Sequence, residues 1–228
     1  LHKSSHSFPT RRSSDLARVV GTLNLGGGAD VLDASAYTSA ITAHITAATA
    51  GGMTASSSSI AGDFAGVETL NLGSGNDVVT LTAAPTGAAT RINLGAGSDE
   101  LASQVDATWV LTSDGAGELR GVPGAASDQL SFSGVENLTT SGNGVLSVPG
   151  AAASVSGTVS ADKLSFAQAS IDVGALGLRV VGDIVNSGPL ALRASGNGNL
   201  SVRGDVRVNG AFSSTVANGT ATDRKSVV

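Results

Sequence analysis

Asn71-Leu72-Gly73-Ser74-Gly75-Asn76-Asp77-Val78-Val79 is the stretch on which the reading of this chain turns. The same pattern, N-L-G-x-G-x-D-x-[LV], recurs as Asn24-Leu25-Gly26-Gly27-Gly28-Ala29-Asp30-Val31-Leu32 and as Asn93-Leu94-Gly95-Ala96-Gly97-Ser98-Asp99-Glu100-Leu101. A second motif, F-x-G-V-E-x-L, stands at Phe64–Leu70 and at Phe132–Leu138, and Leu178-Arg179-Val180-Val181-Gly182-Asp183-Ile184 matches Leu200-Ser201-Val202-Arg203-Gly204-Asp205-Val206. The offsets from Asn71 to Asn93 and from Leu178 to Leu200 are both 22, and those from Asn24 to Asn71 (47) and from Glu68 to Glu136 (68) are close to two and three such steps. Between the glycines apolar residues alternate with polar ones, a period of two that marks strands interrupted by glycine corners. Short strands with a corner repeated at fixed spacing can stack into parallel sheets. The expected fold is all-β, a right-handed parallel β-helix (β-solenoid) with coils of roughly 22 residues.

Composition agrees with a thin core. Aromatics make up 3% of the 228 residues and cysteine is absent, so neither a disulfide framework nor a thiolate metal site is available. No run of about 18 apolar residues occurs that would span a membrane. Ser35 to Ala65 is rich in alanine, which invites a helix, but the alternating β-branched residues of Ile41-Thr42-Ala43-His44-Ile45-Thr46 favour strand.

Both ends read as translated sequencing adapter. Residues 6–16, His-Ser-Phe-Pro-Thr-Arg-Arg-Ser-Ser-Asp-Leu, and 223–228, Asp-Arg-Lys-Ser-Val-Val, are what common library adapters encode in frame. Residues 1–16 and 223–228 are therefore expected to be non-native, flanking an irregular solenoid over 17–140 and more regular coils over 141–222. Setting the ends aside removes five of 13 Lys and Arg and two of 18 Asp and Glu, which moves the net charge from −5 to −8. The apparent basic patches at Arg11-Arg12 and Arg224-Lys225 go with them, and an acidic remainder offers no footprint for nucleic acid.

The G-x-G-x-D-x-[LV] pattern resembles the nonapeptide of RTX toxins, in which glycine turns and an aspartate supply oxygen ligands to calcium. The resemblance implies Asp30, Asp77 and Asp99 as candidate Ca²⁺ ligands, with the carbonyls of Gly26, Gly28, Gly73, Gly75, Gly95 and Gly97. Against it, the copies here stand at offsets of 47 and 22 rather than nine, and the second F-x-G-V-E context is followed by Thr139-Thr140-Ser141-Gly142-Asn143-Gly144, without the aspartate. The competing role for Asp and Asn at such corners is to satisfy backbone donors. Arg203-Gly204-Asp205 looks like an adhesive tripeptide, yet the preceding copy reads Val181-Gly182-Asp183, so Gly-Asp is the corner and the arginine incidental. No G-x-S-x-G elbow accompanies His44, which reads as a solvent-facing strand residue, and Trp109 reads as core. The pairs Asp30 with Asp33 and Asp99 with Glu100 read as surface charge that keeps the chain soluble.

Taken together, the Asp30–Thr38 stretch, the F-x-G-V-E-x-L-N-L-G-x-G-N-D run and the Gly-Asp coils resemble giant bacterial surface and secreted repeat proteins, RTX-like and filamentous-haemagglutinin-type adhesins. That resemblance implies a non-catalytic structural stalk, secreted or on the bacterial cell surface. Its partners would be neighbouring repeats of the parent protein, with any host-cell or surface ligand bound by domains outside this segment. A calcium-dependent RTX-like module is the alternative, and a fragment of a β-helical polysaccharide-active enzyme comes third.

Overall fold

The computed structural model describes residues 5–7, 19–57, 59–86, 90–120, 129–147, 157, 159–166, 170–172, 177–180, 183–186, 188–194, 199–216 and 221–223. Among the described residues there is no helix. The strands begin with β1 (Ser5–Ser7), β2 (Val19–Asn24), β3 (Val31–Asp33), β4 (Thr42–Thr49), β5 (Gly52–Ser57), β6 (Ala61–Val67), β7 (Thr69–Asn71) and β8 (Val78–Leu81). They continue through β9 (Thr90–Asn93), β10 (Glu100–Ser103), β11 (Ala107–Ser113), β12 (Ala116–Arg120), β13 (Gln129–Ser133), β14 (Asn137–Thr140), β15 (Asn143–Ser147), β16 (Val159–Ser160) and β17 (Lys163–Phe166). The last are β18 (Ser170–Asp172), β19 (Gly177–Val180), β20 (Asp183–Asn186), β21 (Leu190–Ala194), β22 (Asn199–Val202), β23 (Val206–Val208), β24 (Phe212–Val216) and β25 (Ala221–Asp223).

Two sheets carry 11 strands each. The first runs β1-β3-β7-β9-β13-β12-β11-β15-β17-β20-β23 and the second β2-β6-β5-β4-β8-β10-β14-β16-β19-β22-β25. A third, β18-β21-β24, joins them toward the end. At about 4.8 Å between strands, 11 strands extend about 50 Å. From β7 onward the chain alternates between the first two sheets except over β11 to β13, which all lie in the first, and from β16 it visits second, first and third in turn. Extended strands of period two allow this, because every other side chain faces inward. In the second sheet Ala43, Val79, Leu101, Leu138 and Val159 fall in register and are all fully buried. Leu32, Leu70, Ile92 and Phe132 form the matching row of the first sheet. Each fully buried aliphatic in such a row contributes roughly 1.5–3 kcal/mol of transfer free energy.

An offset of 22 recurs in several parallel pairs, Thr69 with Arg91, Val78 with Glu100, Leu178 with Leu200, Ile184 with Val206 and Leu190 with Phe212, while others are shorter: 21 for Leu138 with Val159, 20 for Asn143 with Lys163 and 19 for Val159 with Leu178. Elsewhere the sequence-based expectation of parallel strands throughout needs correction. β4, β5 and β6 form an antiparallel meander within the second sheet, and β11, β12 and β13 form one within the first. In each case the chain skips two strand positions, lays down a strand, then folds back to fill the gap. Register offsets across these places widen accordingly, so that Val31 pairs with Thr69 and Glu100 with Asn137.

The offsets of 47 and 68 are consequently not whole numbers of coils. Asn24 ends a strand of the second sheet and Asn71 one of the first. Glu68 precedes β7 of the first sheet and Glu136 precedes β14 of the second. Both directions of crossover accept the same corner, since a glycine turn between two short strands is indifferent to which sheet it leaves. The real longer repeat is a corner, a strand, a three-strand meander and a return. It runs from Asn24 to Asn71 and again from Asn93 to Thr140, with Glu68 and Glu136 at matching places near the end of each.

At the first edge of the first sheet, β1 pairs in parallel with β3. The remainder of residues 1–16 lies outside the described residues, as do 224–228, while Asp223 closes β25.

Candidate functional site

The glycine-aspartate corners are the one place where several sequence motifs meet. Asn93 opens its corner by accepting the Gly95 amide through Oδ1 at 3.3 Å, and Asn24 does the same for Gly26 at 3.0 Å. These are Asx turns, in which the side chain substitutes for a backbone acceptor. Gly95 has φ +95°, a conformation that strains any residue with a Cβ, and a side chain there would run into the carbonyl oxygen of Gly73 in the preceding corner. That carbonyl is already engaged, accepting the Ala96 amide at 3.0 Å, and the Tyr37 carbonyl takes the Ser74 amide at 2.9 Å in the same manner. The glycines are there because successive corners stack backbone on backbone.

The aspartates are joined to this stack through amide hydrogens. Asp77 Oδ1 accepts the Ile41 amide at 2.7 Å, Asp99 Oδ1 accepts the Asp77 amide at 2.7 Å, and Glu136 Oε2 accepts the Asp99 amide at 2.8 Å. On the other crossover Glu68 Oε2 accepts the Asp30 amide at 2.7 Å. A carboxylate at or beside one corner thus caps a backbone donor earlier in the chain, a charge-assisted bond stronger than a neutral one. Asp77 and Asp99 are brought together at adjacent corners; Asp30 is not with them, because its corner leads from the second sheet to the first while theirs lead from the first to the second.

All three aspartates are buried, Asp30 at 1% exposure and Asp77 and Asp99 at 0%, so they do not supply the surface charge expected of Asp30 and Asp99. Each leaves its Oδ2 buried without a hydrogen-bond partner. Burial pushes the Asp77 carboxyl above the usual range, against the opposing effect of amide bonds from Ile41 and Gly73. Asp99 is pushed up to about 6, chiefly by burial and further by the charges of Asp77 and Glu136, while the Asp77 amide pulls the other way. Among the described residues no group of three or more His, Asp or Glu is placed to hold a metal ion.

Glu68 and Glu136 carry a role that sequence reading did not assign. Each ends a meander: Gly66 packs where a Cβ would sit 2.5 Å from the Gly26 carbonyl, Gly134 where one would sit 2.7 Å from the Gly95 carbonyl, and the glutamate two residues on caps the aspartate of that same corner. The F-x-G-V-E motif is the counterpart of N-L-G-x-G-x-D, seated on it after the chain has gone out and come back. The signal was present as matched spacing, since the offset from Asp30 to Glu68 is 38 and that from Asp99 to Glu136 is 37.

The remaining candidates lie elsewhere. Trp109 is fully buried against Gly144, where any Cβ would lie 2.9 Å from the indole Cζ3. His44 is exposed on β4, in register with Ser56 and Thr80. Asp205 gives its carboxylate to Arg207 at 2.9 Å and its carbonyl to the Ile184 amide at 2.9 Å, so the Arg203-Gly204-Asp205 tripeptide is a corner held from both sides. No helix among the described residues is long and apolar enough to cross a membrane. No family model, no curated protein and no solved structure matches the chain.

Proposed function

We propose that the chain is a length of right-handed β-solenoid serving as a non-catalytic stalk in a large secreted or cell-surface bacterial adhesin-like protein. The observation that carries this reading is that the conspicuous motif residues are spent on stacking one corner on the next. Gly73 and Gly95 make room for carbonyls, and Asp77, Asp99, Glu68 and Glu136 cap amides. A binding or catalytic site would instead aim such groups at a common empty point. Stability in such an array is mainly a sum of neighbouring interfaces, which suits a spacer that must be long rather than chemically active.

The calcium-dependent alternative draws its support from the buried, unpartnered Oδ2 atoms of Asp77 and Asp99. Thermal melting separates the two. With millimolar calcium or with excess chelator, the stalk reading expects the same midpoint. A shift upward with calcium, and loss of sheet signal with chelator, would replace it with the calcium reading.

A further inference from the structure

We propose that Asn209-Gly210 is a self-modification site, at which the asparagine converts to aspartate and isoaspartate without an enzyme. The chemistry requires a flexible Asn-Gly bond. The Gly210 nitrogen attacks Cγ of Asn209, a new N–C bond forms as the Cγ–Nδ2 bond breaks, and ammonia leaves carrying the amide proton. Water then opens the resulting succinimide at either carbonyl, giving aspartate or, with the backbone rerouted through the side chain, isoaspartate. Glycine in second place leaves the attacking nitrogen unhindered.

The fold restrains this pair far less than it restrains a second described Asn-Gly pair. Asn209 and Gly210 are both exposed, in the bend between β23 and β24, outside any strand. No hydrogen bond is found for the Asn209 side chain among the described residues; its backbone amide donates to the Asn186 carbonyl at 3.1 Å, and the Gly210 amide donates to the Val208 carbonyl two residues back at 3.1 Å, so the pair is held by these two backbone bonds alone. At Asn143-Gly144 the opposite holds. Asp106 accepts both the Asn143 backbone amide at 2.8 Å and its Nδ2 at 3.2 Å. Gly144 is buried within β15 and pairs with Ala107 on one side and Leu164 on the other. For that pair to react, the strand would first have to open.

Conversion at Asn209 adds a carboxylate two residues along the chain from Arg207, which pairs with Asp205. Isoaspartate also lengthens the backbone where a Cβ on Gly210 would already lie 3.2 Å from the Pro189 nitrogen of the preceding coil.

The test is to hold the full chain at pH 8 and 37 °C and follow the mass gain of about 1 Da, assigning it to a residue by peptide fragmentation and isoaspartyl methylation. Fragmentation also separates Asn209 from Asn197 and Asn218, which precede Gly198 and Gly219 and lie outside the described residues. In the folded chain Asn209 should convert at least about tenfold faster than Asn143, a ratio that needs only about 1.4 kcal/mol of local opening at β15. In concentrated urea the two rates should converge, and Asn209→Ser should abolish the gain at that residue alone. Equal rates in the folded chain, or an intact Asn209 over a time in which the unfolded chain converts, would overturn the proposal.

Discussion

Replacing Asp99 by asparagine should make the chain more stable at neutral pH and flatten its response to acid. The carboxyl is fully buried and lies at about 6 instead of 3.8, so the folded chain holds this proton more tightly than the unfolded chain does. The stabilisation that goes with a raised carboxyl is complete below about pH 4 and is lost as pH rises through about 6. At pH 7 the ionised side chain therefore costs at most about 3 kcal/mol, taking 1.36 kcal/mol for each pH unit between the two values. Asparagine keeps an Oδ1 to accept the Asp77 amide but carries no charge. Its NH₂ stands where Oδ2 now has no partner, and an unsatisfied buried donor costs about 1–3 kcal/mol. The net expectation at pH 7 is a gain of about 0–2 kcal/mol. The sharper signature is the pH profile. The native chain should gain stability on going from pH 7 to pH 5, and Asp99→Asn should lose much of that gain, with Asp77 supplying what remains because its carboxyl is raised as well. Urea denaturation followed by circular dichroism at several pH values measures this. Parallel profiles for the two proteins, or an Asp99→Asn chain clearly less stable than the native one at pH 7, would refute the reasoning and show that the carboxylate must be charged.

Two further substitutions probe the corners. Glu136→Ala removes the acceptor of the Asp99 amide and should destabilise by about 1–3 kcal/mol, while Glu136→Gln, which keeps an oxygen, should lose less; equal losses in urea denaturation would deny the capping role. Gly95→Ala adds a methyl at positive φ and drives it into the Gly73 carbonyl, so we expect a loss above the roughly 1 kcal/mol of an ordinary strained glycine site, read from the same denaturation curves, and an effect below that would mean the coils can part without penalty.

Much of the fold was legible along the chain. The alternation of Ile41 to Thr46 predicted a strand in an alanine-rich region, and β4 occupies it because β-branched side chains fit the pleat. The shared spacing of Asn71 to Asn93 and Leu178 to Leu200 is the pairing register of β7 with β9 and β19 with β22. Trp109 was expected in the core and is there. The meanders were not legible, because an antiparallel strand alternates just as a parallel one does, and direction leaves no mark on period. The offsets of 47 and 68 are close to multiples of 22 along the sequence, yet each ends on the opposite sheet from where it began.

At the candidate site the sequence by itself determined that glycine and aspartate would form corners, since Asx turns and positive φ are properties of a few neighbouring residues. It could not determine that Asp30 would stand apart from Asp77 and Asp99, or that Glu68 and Glu136 would cap their predecessors. Those pairings depend on which coil lies next to which, and that is set only when the rows of buried aliphatic side chains lock the sheets into register. Burial, and with it the raised carboxyls, follows from the same locking. An aspartate at a glycine corner looks solvated in one dimension and loses its water only when a second corner is stacked on the first.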